Sequence, residues 1–322
     1  MWPLHFEPGG LGIAVVAVIV LLAAERTIGG LSIEAARRRT ALIGQLRFAV
    51  TQQDLRTVLV LRRQLADEGM RDAPWLPTPR GRVAAMLPVF ARDAQSLLRW
   101  PLVRVARVLT LGAVIGLSMR GVWSGTTPLV LVAGVAAFVA ALDAIEPMAQ
   151  DLDHPTRLFS FPRARGWVLV HHLAAPTIAM IGVGLVAVAT AFVVDPHRQV
   201  LTYGLAVLIP AAAASVAGAA VSVVSEPILD ASTEAMIPPE VAGPRALFRA
   251  AWPPALATFG MLPLVAAHRA ETVGHPAEAA LSSASTAVLV LTVVVFGWVR
   301  FREEIHAALM AKPPANQQGG AS

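Results

Sequence analysis

The chain contains no cysteine, one tyrosine and one lysine in 322 residues. Without cysteine there can be no disulfide, no zinc–thiolate site and no thiol nucleophile. A nucleotide-binding P-loop needs Lys beside Ser or Thr to reach phosphates. The only lysine, Lys312, precedes Pro313, so this chain is not itself a Walker-type ATPase. Neither H-E-x-x-H nor G-x-S-x-G occurs, which removes the usual zinc-protease and serine-hydrolase signatures. Charge is also scarce, at 15% of residues against about 25% in soluble domains. The heavy preference for Arg over Lys points to a GC-rich bacterial genome.

Hydrophobic residues fill the space, at 56% of the chain. A spanning helix needs roughly 20 apolar residues, and seven stretches qualify: 10–25, 102–119, 127–144, 168–194, 200–224, 250–267 and 280–299. With the N-terminus outside, only Arg120, Arg198 and Arg269 of the 26 Lys and Arg fall on outer loops. The other 23 fall inside, twelve of them between residues 27 and 101. Cytoplasmic loops carry this excess in membrane proteins. The expectation is an all-α polytopic bundle of about seven spans, one N-out helix plus a six-helix core, with a cytoplasmic C-terminus. The first stretch reads as a retained helix rather than a signal peptide, because no positive charge precedes it and Arg37, Arg38 and Arg39 follow it. A sequence pI near 11 then reflects topology and contact with anionic lipid, not nucleic-acid binding.

Four regions follow: 1–27 is the first span, 28–101 an Arg-rich cytoplasmic region, 102–300 the core and 301–322 a cytoplasmic tail. Ile33, Ala36, Ile43, Leu46 and Val50 approximate helical spacing. Thr51 with Asp54 resembles a capping signal that opens a second amphipathic segment along Leu55, Val58, Leu59 and Leu65. Residues 89–100 form an amphipathic elbow before Pro101. Phe90, Ala94, Leu97 and Leu98 are expected to face lipid, with Arg92, Asp93 and Arg99 reaching water.

The first inner loop, 146–165, reads EPMAQDLDHPTRLFSFPRAR. Pro147 suits the first turn of a short helix, which Pro155 would stop. Leu158, Phe159 and Phe161 stand as apolar knobs among Arg157, Arg163 and Arg165. In the fifth stretch Ala214, Gly218 and Ser222 recur at four-residue spacing, which permits close helix approach. The sixth carries Pro253, Pro254, Gly260 and Pro263, so a kink or unwound turn is expected, as a hinge or pathway element beside protein or a cavity. Asp143 and Glu146 share one face at the inner end of the third stretch and are expected to pair with Arg157, Arg163 or Arg165, or to cap the loop helix. His171 and His172 are adjacent, so on a helix they diverge by about 100°. They read as interfacial residues opening a span.

Residues 89–299 resemble the permease subunit of an ABC-2-type exporter: the elbow at 90–100, six following helices and an inner C-terminus. The DLRTVLVLRRQLADE run within 53–75 is similar to N-terminal regions of actinobacterial membrane proteins of that type. The resemblance implies an exporter permease energised by a separate ATPase, with ATP and magnesium bound by that partner, no cofactor on this chain, and two permease chains per assembly. It further implies a coupling segment that docks on the ATPase, carried here by Glu146, Pro147, Asp151, Asp153, His154, Arg157, Phe159, Phe161 and Arg163. The N-out first helix departs from the family's usual layout, as does an outer loop at 268–278 too short for a pair of re-entrant helices.

Two other readings stay open. One is a membrane scaffold or regulatory subunit recruiting a cytoplasmic partner through residues 32–69. The other is a lipid-acting enzyme using His171, His172, Asp143 and Glu146, which requires those side chains to converge in one pocket.

Overall fold

The computed structural model describes residues 37, 40–41, 43–45, 71–79, 81–154, 156, 158, 162–225 and 250–310. The chain divides into two compact units, Met1–Met70 and Arg71–Ser322. In the first, the described residues are helical. The expected first span at 10–25, most of the Arg-rich helical region at 32–69 and the inner loop at 226–249 lie outside the described residues.

Among the described residues the second unit is entirely helical, without a strand. A short helix α1 (Arg82–Met86) leads into the elbow α2 (Pro88–Leu97). Arg71 N–H donates to the Arg99 carbonyl at 3.0 Å, and Trp75 N–H to the Leu98 carbonyl at 2.9 Å. These bonds satisfy carbonyls that a helix end leaves without intrahelical donors. Pro101, extended at φ −65° and ψ 153°, then turns the chain into α3 (Leu102–Trp123).

Three helices are each long and apolar enough to cross a bilayer: Leu102–Trp123, Arg165–Val194 and Ala277–Ala308. Three further pairs qualify when each is counted as one bent span: α4 (Leu129–Ala144) with α5 (Glu146–Asp153), α8 (Arg198–Ala206) with α9 (Leu208–Val224), and α10 (Ala250–Phe259) with α11 (Leu262–Thr272). Their bends are 55°, 46° and 50°. The described residues therefore hold three to six spans, and these coincide with the six apolar stretches from 102 onward.

Proline places the breaks. Having no N–H, it cannot donate to the carbonyl four residues back. Pro147, Pro210 and Pro263 withdraw that bond from Asp143, Ala206 and Phe259, and the helices break at Ile145, Val207 and Gly260–Met261. Pro176 does the same to His172. There the 165–194 span carries only a local irregularity at His172–Leu173, between α6 (Arg165–His171) and α7 (Ala174–Val194). Each proline sits in the first turn of the segment that follows, where its fixed φ is suited to helix.

The core is built from small residues. Ala133, Ala136, Ala137, Ala140 and Ala141 are buried on α4, and Ala212 through Ala220 on α9. A side chain on Gly218 would collide with the Pro253 carbonyl of α10, and one on Gly116 with the Ala187 carbonyl of α7. Backbones thus touch where apolar bulk is missing, the packing expected when lipid supplies no hydrophobic drive between helices. The last helix, α12 (Ala277–Met310), packs against α9, α11 and α6.

Candidate functional site

The densest chemistry lies where α2, α5 and the α6–α7 junction meet. On the elbow, Val89 and Asp93 share a face one turn apart, and both are almost completely buried, at 1% exposure. Asp93 therefore does not reach water as expected; it occupies the apolar stripe of its own helix. His172, also fully buried, places Nδ1 2.7 Å from Asp93 Oδ2 and Nε2 3.2 Å from Asp151 Oδ2. Arg92, half-exposed, donates to Asp151 and lies 3.4 Å from His172 Nε2 and 3.9 Å from Asp93 Oδ1.

Three elements are thereby joined through four side chains: the elbow by Arg92 and Asp93, the loop helix α5 by Asp151, and the base of a span by His172. An imidazole with a carboxylate at each nitrogen donates to both only when it carries both protons. Two acids, one guanidinium and one such imidazole balance in charge, and buried charges persist only in company of this kind. Burial pushes the Asp93 carboxyl above the usual carboxylate range, while His172 and Arg92 pull it back.

A second cluster sits at the break between α4 and α5. Asp143 pairs across to α3: Arg107 donates to its carboxylate, and Arg104 Nη2 donates to its backbone carbonyl at 2.7 Å, while Arg157, one of its expected partners, lies outside the described residues. That carbonyl is the one Pro147 leaves without a helical donor, so the cation props the break. Glu146 lies 4.0 Å from Arg104, and Arg104 also stacks 4.8 Å from the centre of the Trp100 ring. Of the loop arginines, Arg165 pairs instead with Glu303 of α12 at 3.0 Å.

The expected coupling residues separate into two sets. Pro147 and Asp151 are buried and Glu146 half-buried against the bundle. Asp153, His154 and Arg163 are exposed, Arg163 standing 5.5 Å over the Trp167 ring. Arg157, Phe159 and Phe161 lie outside the described residues. The hinge residues fall against the packing stripe: Gly260 meets Ala214 and Ala211 at about 3 Å separation from a built Cβ, and Gly218 meets Pro253. Pro254 accepts from the Thr258 hydroxyl at 2.9 Å, Pro263 lies in the first turn of α11, and Ser222 is half-buried near the end of α9.

The convergence required for a lipid-acting enzyme is not present. His171 stacks on Trp167 with ring centres 3.7 Å apart, whereas His172 points into the buried network. Asp143 turns to Arg104 and Arg107. Among the described residues no group of three or more His, Asp or Glu is arranged to hold a metal ion. Sequence pattern alone makes His172 an interfacial residue and Asp93 a solvated one. The available signal was the position of Asp93 between Val89 and Leu97 at four-residue steps, an acid on an apolar face. No family model matches the chain, and no curated protein or solved structure matches it either.

Proposed function

We propose that this chain is the transmembrane permease subunit of an ATP-driven exporter of the ABC-2 type, paired with a second permease chain and energised by a separately encoded ATPase. On this reading it lies in a bacterial inner membrane with seven spans, the N-terminus outside and the C-terminus in the cytoplasm. The ATPase binds ATP and magnesium. The observation that carries the reading is the attachment of α5. This short segment, bent 55° from α4, is tied through Asp151 to both the elbow and the base of the 165–194 span.

A freely jointed loop would absorb a push. A helix held by buried ion pairs passes displacement to whatever shares those pairs. Closure of the ATPases would press on residues 147–162, with exposed Asp153, His154 and Arg163 meeting the partner. Asp151 would carry the motion to Arg92 and His172, rocking the elbow and the 165–194 span together. The proline breaks supply joints about which half-spans can turn.

The test is a mild-detergent pull-down of the tagged chain from its native membrane, followed by mass spectrometry. Near one-to-one recovery of a nucleotide-binding ATPase is expected. Recovery of a different cytoplasmic partner without any ATPase would overturn the permease reading and favour the scaffold one.

A further inference from the structure

At the end of the bundle opposite the buried network, the helices part around a cavity of about 290 Å³. Its walls come from α3, α7, α8 and α9, with α4 and α11 contributing at the edges. The interior is apolar, represented by Ile115, Met180, Val183, Val188, Leu208 and Leu264. Two of the proline-induced breaks border it, through Val207 and Leu208 on one side and Met261 on the other. Non-helical backbone at membrane depth is tolerated beside protein or a cavity, and here it helps to enclose one.

The polar groups gather at one end. Arg120 meets Asp195 at 2.8 Å through Nε, and His197 bonds the same carboxylate through Nδ1. Gln199 stands beside them and donates to Glu271 at 3.2 Å. Asp195 thus faces two basic side chains, Arg120 about 29% exposed and His197 about 74%, while Glu271 is engaged by Gln199. A cationic head would have to compete with both for Asp195. An anionic head instead finds guanidinium donors matched to carboxylate or phosphate. The volume lies at the lower end of the ~300–1,000 Å³ typical of small-molecule sites, room for one chain rather than two.

We infer that this cavity binds an amphiphile with a single acyl chain and an anionic head, the chain lying among α3, α7 and α9 and the head at Arg120. The inference stands whether or not an ATPase drives the chain, and it does not depend on which end faces out.

The experiment uses the full chain in nanodiscs of zwitterionic lipid, with ω-diazirine palmitate as photoprobe and mass spectrometry to map the labelled residues. Labelling of cavity-lining positions on α7 and α9 is expected. Unlabelled palmitate and palmitoyl lysophosphatidate should compete, whereas hexadecyltrimethylammonium should not. The stronger of the two anionic competitors identifies a carboxylate or a phosphate head as the natural one. Ala212→Phe fills the cavity and should reduce labelling at least tenfold. Arg120→Gln leaves the walls intact and should abolish the preference for anionic over cationic competitors. Labelling confined to lipid-facing residues such as Val193 or Val290, or equal competition by the cationic amphiphile, would overturn the inference.

Discussion

The two ends of this bundle use charge in opposite ways. At one end Asp93, Asp151 and His172 are withdrawn from water and tie three helices together. At the other, Asp195 takes Arg120 and His197 at a half-exposed rim above an apolar cavity. Buried charge left alone is costly, so each partner in the first set is indispensable to the others. A pair at a partly open rim costs less to break and so can be exchanged for a ligand. The same residue types therefore fasten one end and leave the other open to substitution.

The largest effect should come from cutting the fastened end. Asp151→Ala leaves Arg92 and His172 without their shared acceptor and is expected to cost about 3–5 kcal/mol. The same truncation at the rim, Asp195→Ala, should cost less than about 1 kcal/mol. Unfolding of both variants in detergent, followed by tryptophan fluorescence, checks the contrast; equal losses would erase it. Packing gives the next test. Gly218→Leu drives a side chain into the Pro253 carbonyl and should cost roughly 1–3 kcal/mol. Gly182→Ala on α7, with open space around it, should be neutral or stabilising by roughly 0.4–1 kcal/mol.

A third test uses pH. The Asp93 carboxyl is raised in the fold, chiefly by burial, so the folded chain holds that proton longer than the unfolded one. Its contribution to stability is fully present below the ordinary carboxylate range and is lost as pH rises through the higher folded value. Asp93→Asn should flatten that part of the stability–pH curve, and an unchanged slope would show that the group does not titrate as described. The smallest effect belongs to Arg120→Gln, a shift within about 1 kcal/mol in stability.

The spans from residue 102 onward were legible because a bilayer demands long apolar runs, and composition alone meets that demand. Their breaks were legible in part. Pro263 and Gly260 mark one, but Pro147 looks locally like a helix start alone, and Pro210 and Pro176 follow the same rule of a missing donor four residues on. The buried network was harder to read. His172 lies 79 residues from Asp93, and no local pattern records which arginine an acid will choose. Asp143 went to Arg104 and Arg107 because the carbonyl left by Pro147 and the carboxylate beside it sit together on α4, facing α3. The walls of the cavity were equally hidden, since alanine and valine look alike whether they line space or fill it.

A regular helix resists bending because every turn is tied to the next. The missing amide proton at residues 147, 176, 210 and 263 cuts one such tie in the 165–194 helix and in each of the three bent helix pairs. Mechanically the bundle is a set of shorter rods strung on joints, and covalent chemistry sets its softest modes before any lipid or partner acts. Two joints border the cavity, while a third is braced by the Arg104 guanidinium on the Asp143 carbonyl. Compliance is therefore uneven, with give concentrated around the cavity and stiffness concentrated where the charges are buried.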